Sequence, residues 1–131
     1  MFRLNGNPTP DRYSRESFAR STSFVNVSLP QSVWAMTATS SVAAMFELAV
    51  EQFGRVDIIF NNAGVMLPGD DDALTTSDEV IDRTLAINVK GVAHGCKYGV
   101  PAMIDSGGGS IINVASFVAW MGAATSQTAY T

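Results

Sequence analysis

From residue 41 onward, apolar positions fall into patterns whose period changes from one stretch to the next. Between residues 41 and 53, Val42, Met45, Phe46, Ala49 and Phe53 recur at three- and four-residue spacing and share one helical face, with Glu47 and Glu51 opposite. Ser40 or Ser41 can cap the start, and Gly54 fits the stop. Val56-Asp57-Ile58-Ile59-Phe60 is short, mostly apolar and β-branched. Lying between a helix and a glycine turn, it predicts a central parallel strand covered on both faces. Residues 65–76 contain Pro68-Gly69 and read as a loop, with Asp70-Asp71-Asp72 as a solvated turn rather than a metal site. A long helix is predicted over residues 77–104, capped by Ser77, with Asp78, Glu79 and Asp82 complementing the dipole in its first turn. Its apolar stripe is Ile81, Leu85, Val92 and Cys96, and Arg83, Lys90, His94 and Lys97 lie opposite. His94 therefore reads as a solvated helix residue and Cys96 as a small buried hydrophobe. Gly107-Gly108-Gly109 reads as a turn and not as a phosphate cradle, because a strand, Ser110–Ala115, follows it rather than a helix. After Ser116 a loop leads to Tyr130 and Thr131, where a further helix can begin.

Strands alternating with helices predict an α/β fold: a parallel sheet with right-handed crossovers. There is no internal repeat and no low-complexity tract.

Residues 1–40 do not share this patterning. They carry four arginines, two acids, eleven serines or threonines and three of the five prolines, whereas residues 41–131 carry four bases and ten acids. The chain therefore divides into an atypical N-terminal segment, 1–40, and a patterned domain, 41–131. Three readings stand for the first segment: an irregular leader, a targeting peptide rich in arginine and serine, or a stretch that is not the natural start of the domain.

Composition narrows the class. The 131 residues suit a single domain, and 47% are hydrophobic against 15% charged, which argues against disorder. A formal net charge of −4 gives no basic field to meet phosphates, so no nucleic-acid partner is expected. No apolar run approaches the roughly 18 residues of a membrane span. One cysteine and one histidine leave neither a disulfide framework nor a metal site to expect, and the default compartment is the reducing cytoplasm.

In an open parallel sheet, ligands bind beyond the carboxyl ends of the strands. Asn61-Asn62-Ala63-Gly64 stands at one such end and Ser116 at the other. Small polar residues there let a flat ligand approach the backbone; a plain turn is the alternative. At 100° per residue Asn88 falls in the middle of the apolar stripe of the long helix. A buried amide must be hydrogen-bonded. Asn88 thus either bridges loops structurally or faces a polar pocket shared with Ser116. Tyr130 has acid–base potential, but a free phenol titrates near 10 and needs a nearby cation to act near neutrality. Packing or surface placement is its other reading.

These pieces together resemble the short-chain dehydrogenase/reductase family. The matching residues are Asn61-Asn62-Ala63-Gly64 after an apolar strand, Ile87-Asn88-Val89 in the long helix, Ile111-Ile112-Asn113-Val114-Ala115-Ser116, and Tyr130 thirteen intervening residues later. The resemblance covers about the last 90 residues. It implies a partial Rossmann-type (doubly wound) parallel sheet and NAD- or NADP-dependent interconversion of a secondary alcohol and a carbonyl. It further implies that Tyr130 exchanges a proton with the substrate oxygen and Ser116 hydrogen-bonds the same oxygen. Asn88 would hold a water in the proton relay. Asn62, Ala63 and Gly64 would contact the cofactor, as would Tyr130.

Two family features are missing. Residues 1–40 contain a single glycine, Gly6, so they hold no glycine-rich turn for the pyrophosphate. The family's lysine four residues after the tyrosine would lie beyond Thr131. The expectation is a dehydrogenase fragment with little activity alone, whose intact parent takes a small alcohol or carbonyl substrate and forms a homo-oligomer. The alternative is a non-catalytic interaction module with an exposed α/β face.

Overall fold

The structure, a computed structural model, describes residues 39–131; the readings of residues 1–38 lie outside the described residues. Helix α1 (Thr39–Phe53) buries Val42, Phe46 and Ala49. The predicted face is right except at its end, where Phe53 is exposed. Gly54, at φ 75°, closes the helix, and its N–H donates to the Val50 carbonyl at 2.8 Å.

Strand β1 (Ile58–Asn61) follows, and pairs in parallel with β2 (Ser110–Asn113), Ile58 opposite Ser110 and Asn61 opposite Asn113. Both strands are shorter than their apolar runs. Val56 is fully buried but precedes the ladder, and Val114 and Ala115 lie beyond it. Polar bonds hold these flanks. Ser110 N–H donates to Asp57 O at 2.9 Å, Val56 N–H donates to Ser106 Oγ at 2.9 Å, and Val114 N–H donates to Asn61 O at 3.0 Å.

The predicted long helix is continuous from 78 to 105 but not uniform. It comprises α2 (Asp78–Leu85), a π-helical turn (Ala86–Lys90) and α3 (Gly91–Asp105). Ser77 caps it by accepting from Val80 N–H at 3.4 Å. The predicted stripe is displaced. Leu85 is exposed, Ile81, Val92 and Cys96 are half-buried, and the buried positions are Thr84, Ile87, Gly91, Gly95, Gly99 and Met103. From Ile87 onward the buried line follows an i, i+4 ridge made mostly of glycines. A Cβ on Gly95 would overlap the Asn61 side chain, and one on Gly99 would overlap Ile59 and stand 2.7 Å from Phe46 Cζ. The glycines therefore set the close approach of α3 to β1 and α1. His94 is half-buried too, its ring 6.1 Å from that of Tyr98 in an edge arrangement, so it is not the solvated residue expected.

The core is Val42, Phe46 and Ala49 of α1, Val56, Ile59 of β1 and Met103 of α3. It lies on one face of the sheet. On the other, Phe60 and Ile112 are 40% and 46% exposed. Among the described residues β1 is thus covered on one face, not the two expected. A short helix, α4 (Val118–Met121), ends at Gly122, and the chain then runs irregularly to Thr131.

Candidate active site

The carboxyl ends of β1 and β2 lie side by side because the strands are parallel and in register. The chain leaving β1 (Asn62 to Met66) and the chain leaving β2 (Val114 to Ser116) therefore border one space. Asn88 in the π-helical turn, Ala119 of α4 and Tyr130 close it into a pocket of about 360 Å³. All six residues singled out in the sequence, Asn62, Ala63, Gly64, Asn88, Ser116 and Tyr130, line this pocket.

Asn88 is fixed by two hydrogen bonds to one residue of the β1 loop. Its Oδ1 accepts from Val65 N–H at 2.8 Å and its Nδ2 donates to Val65 O at 2.8 Å. It is half-buried beside the glycine ridge rather than central in an apolar stripe. Both sequence readings of Asn88 hold together: it bridges to a loop and it lines the pocket. One amide hydrogen and one lone pair remain for a further partner.

Asn62, Ala63 and Gly64 are exposed, and their backbone groups make no hydrogen bonds with other described residues. Gly64 leaves open space, since a Cβ there would meet only Asn88 Oδ1, at 3.5 Å. An exposed stretch of backbone with no partner among the described residues, at a parallel strand's carboxyl end, suits a ligand with polar edges. The preceding Asn61 is structural: it is buried, and its Nδ2 donates to Asn113 Oδ1 at 2.8 Å across the strands. Ser116 is half-buried, and its Oγ stands 3.4 Å from Val118 N–H, which leaves the hydroxyl proton free for another acceptor.

Tyr130 is half-buried, and the loop after β1 sets its place. Asp70 accepts backbone N–H bonds from Thr128, Ala129 and Tyr130, each at 2.9 Å. Thr128 Oγ1 donates to Asp71 O at 2.7 Å. Gln127 Nε2 lies 3.1 Å from Met66 Sδ. The expected solvated triplet of aspartates is thus three different things. Asp70 binds a distant segment, Asp71 joins it through its carbonyl, and Asp72 closes a local turn. Asp72 Oδ1 accepts from Leu74 N–H at 2.8 Å and Thr75 N–H at 2.9 Å. The Leu74 amide foremost, with the Thr75 hydroxyl and amide, holds the Asp72 carboxyl below the usual aspartate range. Among the described residues no group of three His, Cys, Asp or Glu side chains is placed to hold a metal ion, and no helix is long and apolar enough to cross a membrane.

Residues 26–131 match the family described as short chain dehydrogenase. The chain belongs to that family. Over 91 residues it is 40% identical to a 2-(R)-hydroxypropyl-CoM dehydrogenase of Xanthobacter autotrophicus, covering 69% of this chain and 36% of that protein. Over 70 residues it is 41% identical to a 3-beta-hydroxysteroid dehydrogenase of Comamonas testosteroni, covering 53% of this chain and 26% of that one. Among solved structures, NAD+-bound xylitol dehydrogenase superposes with a TM-score of 0.68 at 30% identity, covering 73% of this chain and 36% of that one. The chain thus spans about a third or less of the relatives it matches, and the described elements are part of a short-chain dehydrogenase Rossmann fold.

Sequence reasoning missed two contributors to the site. Asp70 acts on partners about sixty positions away, and no local pattern announces that. The glycine ridge did have a signal: Gly91, Gly95 and Gly99 stand four apart inside a helix, where each glycine costs about 1 kcal/mol relative to alanine.

Proposed function

We propose that this chain carries the substrate-oxygen side of an NAD- or NADP-dependent oxidoreductase site that interconverts a secondary alcohol and a carbonyl. The observation that carries this reading is the convergence of Asn62, Ala63, Gly64, Asn88, Ser116 and Tyr130 on one pocket at the carboxyl ends of two parallel strands. A nicotinamide cofactor, when bound, supplies the hydride acceptor or donor. The described pocket residues of this chain supply part of the remainder; the cation that a phenol needs to act near neutrality is not among them. Tyr130 exchanges a proton with the substrate oxygen, and the Ser116 hydroxyl donates a hydrogen bond to that oxygen. Asn88 holds Val65, and through it the open backbone of Asn62 to Gly64, against which the cofactor lies. The lone pair and amide hydrogen left on Asn88 can hold a water. The substrate is a small-molecule alcohol or carbonyl compound, and the setting is the cytoplasm.

The test is titration of isotopically labelled chain with NADH and NADPH, followed by turnover assays on a panel of secondary alcohols. Amide resonances of Asn62 to Gly64 and of Ser116 shift on binding. Where the chain turns over, Tyr130→Phe lowers turnover by about a hundredfold or more, the scale of one general acid–base group, with binding kept. Resonances at Asn62 to Gly64 that do not move at millimolar nucleotide would overturn the reading.

A second reading, a non-catalytic interaction module, is supported by the open sheet face at Phe60 and Ile112 and by Trp120, which is 91% exposed. Nucleotide-independent association with an intact relative would favour it.

A further inference from the structure

Among the described residues, Tyr130 follows an irregular stretch. Residues 122–127 before it are irregular, and residues 128–130 form a single turn. A side chain that must meet a substrate oxygen within hydrogen-bond reach cannot be left on a free strand of chain, because a displacement of about 1 Å can cost a hundredfold in rate. Among the described residues, the bonds that reach this segment come from the loop after β1.

We propose that Asp70 is the positioning residue for Tyr130: its carboxylate gathers the three consecutive backbone N–H groups of Thr128, Ala129 and Tyr130 and thereby sets where the phenol enters the pocket. This rests on the acid–base reading of Tyr130 given above. The geometry is specific. Oδ1 takes the N–H groups of Thr128 and Ala129, and Oδ2 takes that of Tyr130, all at 2.9 Å. Three donors converging on one carboxylate make charge-assisted bonds, stronger than neutral ones. A second latch beside the first, Thr128 Oγ1 to Asp71 O at 2.7 Å, stops the segment from swivelling about the carboxylate.

Asp70 is itself held. Asp71 N–H donates to Thr76 Oγ1 at 2.8 Å, and Thr76 Oγ1 donates to Asp72 O at 2.9 Å, which tightens the turn just after Asp70. Asp70 N–H donates to Leu67 O at 3.2 Å, which tightens the turn before it. Upstream, Asn88 clamps Val65 through both halves of its amide. The loop from Val65 to Thr76 is therefore a strut. One end is fixed beside the open backbone of Asn62 to Gly64, and the other fixes Tyr130. The two sides of the pocket keep their relative position through it, although Asp70 and Tyr130 are 60 residues apart in sequence.

The experiment compares amide hydrogen exchange in the full chain as wild type, Asp70→Ala and Asp70→Asn. In Asp70→Ala, exchange at Thr128, Ala129 and Tyr130 accelerates by about tenfold or more, as the loss of charge-assisted bonds requires. Exchange at Ile59 and Ile112, whose N–H groups lie in the ladder of the paired strands, stays at the wild-type rate. Asp70→Asn keeps one acceptor oxygen in nearly the same shape. It retains protection at Thr128 and Ala129 and loses it at Tyr130. Nitration of Tyr130 quickens in Asp70→Ala and is intermediate in Asp70→Asn. Where the wild type turns over, kcat falls in the same order while KM for the nucleotide is unchanged. Equal exchange at residues 128–130 in wild type and Asp70→Ala overturns the proposal. So does acceleration in Asp70→Asn that spreads to Ile59 and Ile112, because the carboxylate would then support the whole fold. If instead Tyr130→Phe leaves turnover intact, the acid–base reading fails while the exchange pattern still reports on the clamp.

Discussion

Replacing Gly95 by alanine sets two effects against each other, and the structure says which wins. Helix propensity alone favours alanine by about 1 kcal/mol, since glycine loses the most backbone entropy on folding. Gly95, however, is buried on the face of α3 that meets β1. A Cβ built there would overlap Asn61 Oδ1, with Asn61 Cγ at 3.0 Å and Nδ2 at 3.3 Å. The whole amide is in the way, so no small rotation clears it. Asn61 is 9% exposed, and its Nδ2 holds Asn113 Oδ1 at 2.8 Å. To make room, either Asn61 gives up that bond or α3 lifts from the sheet. A buried amide left without its partner costs about 1–3 kcal/mol. Overpacking a tight contact adds about 1–3 kcal/mol. Against a gain of about 1 kcal/mol, the net expectation is a destabilisation of about 1–5 kcal/mol. Urea unfolding followed by circular dichroism reads it, with Ala93→Gly, at an exposed position of the same helix, as the measure of propensity alone. A Gly95→Ala chain more stable than wild type by about the amount Ala93→Gly loses would refute the argument that the glycine ridge is a spacing device.

Two further outcomes follow from the bonds at the site. Asn88→Ala removes both bonds to Val65 and leaves the Val65 amide to solvent. It should cost about 1–3 kcal/mol in urea unfolding and speed exchange at Val65 N–H, and unchanged exchange there would count against the bridging role. The Asp72 turn should respond to acid: because its carboxyl is held below the usual range, the bonds to Leu74 and Thr75 are intact above the ordinary aspartate value and are lost as pH falls through the lowered one. The Leu74 and Thr75 amide resonances should move together with a midpoint below about 3.9, and a midpoint at or above that value contradicts the geometry.

The parts of this fold that were legible were those where one physical cause acts locally. Val42, Phe46 and Ala49 announce the buried face of α1 because burial there needs large or at least apolar side chains. That Gly64 and Ser116 border one pocket was legible for a topological reason: parallel pairing brings strand carboxyl ends together. The inner face of α3 was misread for the opposite reason. That face is chosen by the absence of side chains, and apolarity scoring passes over Gly91, Gly95 and Gly99 in favour of Leu85 and Val92 beside them. Bonds such as Asp70 to Tyr130 were illegible because a carboxylate accepting distant backbone N–H groups leaves no mark on the sequence around it.

The polar side chains of the site share one task that the sheet itself cannot perform. The β ladder ends where Val114 N–H meets Asn61 O, and beyond that rung the two chains separate. A pocket needs that separation, but separated backbone is mobile unless something replaces the ladder. Asn61 reinforces the ladder at its last pair by reaching Asn113. Asn88 replaces it between the long helix and the β1 loop by binding both polar groups of Val65. Asp70 replaces it between that loop and the Tyr130 segment. All three acceptors or donors are side chains directed at fixed partners, so the backbone of Asn62 to Gly64 is held in place without being consumed. These three side chains thus hold the segments around the pocket while the backbone of Asn62 to Gly64 keeps no partner among the described residues, a combination apolar side chains could not provide.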